Sequence, residues 1–285
     1  MEEEQLYIRK IMKEINLSKL HDTFPIYSTD IIYLSGSLID GEINKYSTGM
    51  GNKKSDLDLF VVRDSDLFKN TPCIYEQTFR KTDFISLDSW EVDIEIYDKN
   101  FIEKLKKHLS LIRLNANLRV DNIMKLSNEI SEATITSFFN RLYNSICIQN
   151  EKDYQDLITQ LDIESWINLK KVSIVNNIEN IYSDIIGNID EENYEVALLC
   201  ARQAFMLLVQ YVVFSIGDFI DREKWIPIKI KNIVKYHSEY SDLIKVYNLL
   251  FFSDLNDNKM KKNISEYTIR YIQGKIEEES MRELL

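Results

Sequence analysis

The sequence predicts an α+β protein, with a small mixed sheet over residues 1–118 followed by an all-helical bundle over residues 119–285. Three observations predict it. Up to Tyr97, apolar residues recur in short β-branched runs, some strictly alternating. From about Leu118 the apolar period changes to three and four, which is helical. And four of the chain's seven glycines lie between Tyr33 and Val62, inside the sheet-forming part.

The elements follow in order. "EEQLYIRKIMKEI" reads as a short amphipathic helix. "DIIYLSG" is a β-branched run that ends in glycine, hence a strand entering a turn. "DLDLFVV" is a second strand and "CIYEQTF" a candidate third. "WEVDIEIY" alternates, with Val92, Ile94 and Ile96 on one face and Glu91, Asp93 and Glu95 on the other. "NFIEKLKKHLSLIRLN" is a helix. In the second part, Leu198, Ala201, Phe205, Leu208 and Val212 form one stripe of a long helix. "ESWINLKKVSIVNNIENIYSDIIGN", "SDLIKVYNLLFF" and "EYTIRYIQGKIEEESMREL" carry similar patterns, and Gly187 and Gly217 are expected to mark helix ends.

Composition sets the bounds. The chain is 45% hydrophobic with 13 Phe, 16 Tyr and 3 Trp, enough for a sizeable core. Its net charge of −11 argues against wrapping a polyanion, so nucleic acid is not an expected partner. Lys104/Lys106/Lys107 and Lys259/Lys261/Lys262 are short basic clusters that read as solvated faces. Three scattered cysteines and three scattered histidines show neither a disulfide framework nor zinc spacing. The acidic start lacks an apolar leader, and "AFMLLVQYVVFSIG" is too short to span a bilayer. The expectation is a soluble cytoplasmic protein with no membrane partner.

The chemistry is concentrated around two motifs. Asp56 and Asp58 are two apart at the head of an apolar strand, so they project to one face while Leu57 and Leu59 point to the other. Two such close anions repel unless a cation sits between them, and Mg²⁺ takes one or two carboxylates together with substrate phosphates. A third carboxylate on a neighbouring strand would complete a two-metal clamp. Asp93 is the choice and Glu95, on the same face, the competitor; a merely solvated strand face is the alternative for both. Gly36 and Ser37 end the preceding strand, where glycine allows close backbone approach and helix-start amides with a serine hydroxyl can hold an anion.

Gly36-Ser37, then Ser55-Asp56-Leu57-Asp58 heading a strand, then Asp93, resembles the nucleotidyltransferase superfamily with the DNA polymerase β-like palm. The likeness covers roughly Ile31 to Tyr97; beyond it the plan of a palm followed by a helical domain is similar to the antibiotic nucleotidyltransferases. The resemblance implies catalytic and metal-binding roles for Asp56, Asp58 and Asp93, two Mg²⁺ ions, and nucleotide contacts from Gly36, Ser37 and Ser55. It implies transfer of a nucleoside monophosphate from an NTP, ATP by default, to a hydroxyl, with a small hydroxylated molecule as acceptor. Transfer to tRNA or protein by a toxin-like enzyme, cyclic-nucleotide synthesis, and a binding module that has lost turnover are the other readings.

One departure is the long stretch Leu38 to Ser55, as if "EINKYSTGM" were inserted in the usual loop. It is expected to be either an active-site lid hinged at Gly41, Gly49 and Gly51 or a plain surface insertion. In the helical part, Arg222, Lys224 and Lys229 surround Trp225 and Pro227. Some relatives carry a similar Lys-Trp, which implies that Lys224 neutralises a β- or γ-phosphate; a charged loop with a capping aromatic is the alternative. Arg202, inside an apolar helix, is expected to be paired, to reach a site, or to lie along the helix surface.

Overall fold

The structure, a computed structural model, describes residues 5–9, 12–16, 19–87, 90–111 and 130–284. It is α+β, as the sequence predicts: a six-stranded mixed sheet with its helices, then a run of helices.

The chain opens with a hairpin of β1 (Gln5–Ile8) and β2 (Lys13–Asn16). This corrects the expected amphipathic helix. Ile8 and Ile15, each about 1% exposed, reach the sheet's core from the hairpin, and that burial outweighs helical propensity. After α1 (Leu20–Thr23) come β3 (Ile31–Ser35), α2 (Gly36–Ile43) and β4 (Leu57–Arg63). Then follow α3 (Ser65–Lys69), β5 (Tyr75–Glu76), β6 (Arg80–Leu87), β7 (Trp90–Asp98) and α4 (Lys99–Leu111). The remainder of the predicted α4 segment, residues 112–115, lies outside the described residues. Next are α5 (Glu132–Tyr143), β8 (Ile146–Gln149) and α6 (Glu151–Gln160).

The sheet order is β5-β6-β7-β4-β3-β8. β4 and β7 are parallel and every other pairing is antiparallel. One face is aliphatic: Ile32, Leu34, Leu57, Leu59, Val61, Val92, Ile94 and Ile96 pack under the hairpin, α1 and α2. The other face is aromatic. Tyr33 stacks on Phe60 at 5.3 Å, and Tyr97 meets Phe101 of α4 at 5.7 Å and Phe138 of α5 at 5.1 Å. At the far end of β4, Arg63 forms a fully buried two-point ion pair with Asp30, Nε to Oδ1 at 3.0 Å and Nη2 to Oδ2 at 2.7 Å.

Two compact units divide the chain, and among the described residues the division falls between Ile163 and Glu164. The expected boundary at residue 118 lies outside the described residues. The segment from α5 to α6, assigned from sequence to the helical part, belongs to the sheet unit instead. The physical reason is β8, which adds to the sheet beside β3, with Tyr33 opposite Cys147 and Leu34 opposite Ile146.

The second unit contains α7 (Ile163–Asp190), α8 (Tyr194–Ser215), α9 (Ile226–Tyr236), α10 (Ser241–Phe252) and α11 (Asn258–Leu284). The predicted stripe of α8 is buried throughout, from Leu198 to Val212. At 22 residues α8 is long and apolar enough to cross a membrane, against the sequence expectation of too short a stretch. Its buried stripe is that of a core helix. Gly217 ends α8 with φ +74°, whereas Gly187 lies inside α7 rather than at its end.

Candidate active site

The aspartate pair lies at the start of β4, an interior strand of the sheet. Asp56 immediately precedes the strand and is exposed, and Asp58 is its second residue and half-buried. The register then does what the sequence could not show. Asp58 lies opposite Ser35 of β3 on one side and opposite Asp93 of β7 on the other. Cross-strand partners share a face, so Ser35, Asp58 and Asp93 form one row on the aromatic side of the sheet. Below that row Tyr33, Phe60 and Tyr97 are buried, each 1% exposed or less.

Glu95 is separated from Asp93 by its partners. It accepts a hydrogen bond from the Tyr97 hydroxyl at 2.6 Å and pairs with Arg80 Nη1 at 3.2 Å. Its carboxylate is built into the sheet. Burial pushes the Tyr97 hydroxyl far up and Glu95 adds to it, while Arg80 and Arg141 oppose. Tyr33 is likewise pushed well up, chiefly by burial. Both phenols therefore stay neutral at physiological pH.

Gly36 is the first residue of α2 and has φ +83°, a conformation that favours glycine. A Cβ there would overlap Asp58 Oδ2 and lie 2.5 Å from its Cγ. The start of α2 and the Asp58 carboxylate are thus in direct contact only because residue 36 has no side chain. Ser35, in the capping position, does not cap: its hydroxyl donates to Asn144 O at 2.8 Å. No acidic residue sits in the first turn. Ser37 and the first amides of an eight-residue helix therefore form a polar, positively biased surface beside an aspartate.

The stretch after α2 is packed. Asn44 bonds Asn144 Oδ1 at 3.0 Å and accepts from Tyr46 N at 2.9 Å. Tyr46, Ser47 and Met50 are buried. Gly41 admits Met50 O where a Cβ would stand 2.6 Å away, and a Cβ on Gly51 would stand 2.9 Å from Leu38 Cδ2 and 3.0 Å from Ser37 O. Gly41 and Gly51 are close-approach positions rather than the free hinges of a lid. Ser55 accepts from Asn52 N at 2.9 Å and closes the turn that exposes Lys53 and Lys54 just before Asp56.

Sequence reasoning missed Arg141. It is 7% exposed, its guanidinium lies 5.7 Å from the Phe60 ring centroid, and it donates to Ser137. It places a positive charge one row beneath Asp58. No local pattern in α5 marks it, because its position depends on the pairing of β8 with β3.

Lys224 belongs to the second unit, in a short turn, exposed, with Nζ 4.8 Å from the Trp225 ring centroid. Lys229 forms a buried ion pair with Asp218 at 2.5 Å. Arg202 donates from Nε to Leu250 O at 2.7 Å and lies over Phe251, so of its three expected fates the structure shows a paired one.

The carboxylate row can be tested as a metal site. Asp58 and Asp93 offer hard oxygen donors on one face, the kind that suits Mg²⁺, and Asp56 lies two residues before Asp58, outside the strand. Among the described residues no group of three or more His, Cys, Asp or Glu is arranged to hold a metal ion by itself. The fit is therefore to a cation that takes one or two carboxylates here and its other ligands from a bound phosphate.

No family model matches the chain, and no curated protein matches it. Among solved structures it is similar to a nucleotidyltransferase-like protein from Exiguobacterium sibiricum 255-15. The identity is 12% and the TM-score 0.45, over 91% of this chain and 72% of that one.

Proposed function

We propose that this protein is a Mg²⁺-dependent nucleotidyltransferase, moving a nucleoside monophosphate from an NTP, ATP by default, to a hydroxyl of a small molecule in a soluble, cytoplasmic setting. The observation that carries the reading is the row Asp58–Asp93 in register across β4 and β7, in contact with the glycine start of α2. Asp56 and Asp58 would hold the cation, which would supply charge neutralisation for the triphosphate and the leaving pyrophosphate, with Asp93 the third carboxylate beside it.

The chain's own groups do the rest. The α2 amides and the Ser37 hydroxyl bind phosphate oxygens, with Gly36 letting them approach the carboxylates. Ser55 orders the turn that brings Lys53 and Lys54 to the same end. The acceptor hydroxyl attacks the α-phosphorus in line, its proton passing to Asp93, while the bond to the pyrophosphate oxygen breaks. Arg141, buried beneath the row, limits mutual repulsion among the carboxylates before the cation arrives.

The test is a parallel assay with labelled NTP, Mg²⁺, total tRNA and a panel of cationic hydroxylated metabolites. Label is expected in a small molecule, dependent on Asp56 and Asp58. Label in tRNA alone would overturn the acceptor assignment, and equal transfer by Asp58→Asn would overturn the site.

A further inference from the structure

The carboxylate row does not end at Asp93. The next residue in register, on β6, is Phe84. It shares the face of Asp58 and Asp93, and it is 45% exposed. On the edge strand, Tyr75 lies opposite Thr82 on that same face and is 64% exposed. The two rings meet edge to face, 6.2 Å between centroids and 86° between planes. Two large aromatics left in water at a free sheet edge gain nothing by burial there, and they sit on the flank of Asp93 opposite the α2 start.

We infer that Phe84 and Tyr75 form the seat of the acceptor's ring, so that the acceptor is a ring-bearing, hydroxylated small molecule without negative charge. The inference rests on the reading of the carboxylate row as the reacting centre. The α2 amides and Ser37 lie on the β3 side of the row and suit phosphates, so the β6 side is left for the acceptor. An aromatic face attracts a ring and, still better, a cation. Asp93, the row's neighbour of Phe84, and Glu91, paired with Ser86 one step along on the same face, favour a neutral or cationic molecule over an anionic one. A molecule seated flat on Phe84 holds a ring hydroxyl one strand spacing from Asp93, about 5 Å away. The rings determine which acceptor binds; they do not touch the reacting phosphorus.

The experiment separates this claim from the catalytic one by using the full-length Asp58→Asn protein, in which turnover is removed. Ligand-observed saturation-transfer NMR is run with glucosamine and with tyramine, two cationic hydroxylated rings, one saturated and one aromatic. Binding of at least one is expected, and the tighter of the two identifies the ring type. F84A and Y75A should each weaken it about fivefold, while F84W, which keeps an aromatic face, should preserve it. Unchanged affinity in both alanine variants, or saturation by neither probe, would overturn the inference whether or not the wild-type protein transfers nucleotides.

Discussion

Gly36→Ala perturbs the contact between the start of α2 and the Asp58 carboxylate. Two penalties are expected. A non-glycine residue at φ +83° costs about 1–2 kcal/mol in backbone conformation. The added methyl also overlaps the Asp58 carboxylate, and forcing atoms into a packed site costs about 1–3 kcal/mol. The sum is about 2–5 kcal/mol. Gly49 provides the control. Its φ is +103°, but a Cβ there meets nothing within 4 Å, so Gly49→Ala should show only the backbone part. A double-mutant cycle isolates the contact: in an Asp58→Ala background, Gly36→Ala should lose most of its second penalty, giving a coupling of about 1–3 kcal/mol. The assay is urea unfolding followed through Trp90, which lies in the sheet unit, with Trp166 and Trp225 replaced by Phe to silence the helical unit. Equal costs for Gly36→Ala and Gly49→Ala, with no coupling to Asp58, would refute the contact between the α2 start and the carboxylate.

Two further outcomes are expected. Asp93→Asn should lower kcat by 100-fold or more with little change in stability, whereas Glu95→Gln should leave most of kcat and cost about 1 kcal/mol of sheet-unit stability through its half-exposed pairing with Arg80, as read by transfer kinetics and the same Trp90 signal; the reverse ranking would move the catalytic role to Glu95. Asp30→Ala should cost about 3–5 kcal/mol, because it strands the buried Arg63 guanidinium, and a loss below 1 kcal/mol in urea unfolding would contradict that reading.

What was legible in the sequence was what has a short period. β3, β4 and β7 announce themselves through alternation or β-branched runs, and Asp58 is where the sequence expects it, at the head of β4, while Asp56 falls just before the strand. The pairing of Asp58 with Asp93 was a choice between two carboxylates, and only the parallel register of β4 and β7 shows which is opposite. β6 was hidden because its inward positions include Lys81, which is 2% exposed and donates to the Thr71 carbonyl at 2.8 Å. That arrangement breaks the apolar alternation. β8 is four residues long and becomes a strand only by pairing with β3, more than a hundred residues earlier. The domain boundary moved with it, and Arg141 came into the site for the same reason. The first hairpin is not legible as one, because Leu6, Ile8 and Ile15 satisfy a loose helical pattern as well as a strand one and the deciding burial is tertiary.

On the proposed function, Asp58 and its row hold a divalent cation together with a nucleotide's phosphates. Mn²⁺ in place of Mg²⁺, followed by electron paramagnetic resonance, tests it without any need to know the acceptor. With a non-hydrolysable ATP analogue, the wild-type protein should bind Mn²⁺ at least tenfold more tightly than without it, because most of the ligands come from phosphate. Asp58→Asn should abolish that gain. Enhancement of Mn²⁺ binding by the nucleotide that is the same in wild type and Asp58→Asn would contradict the account.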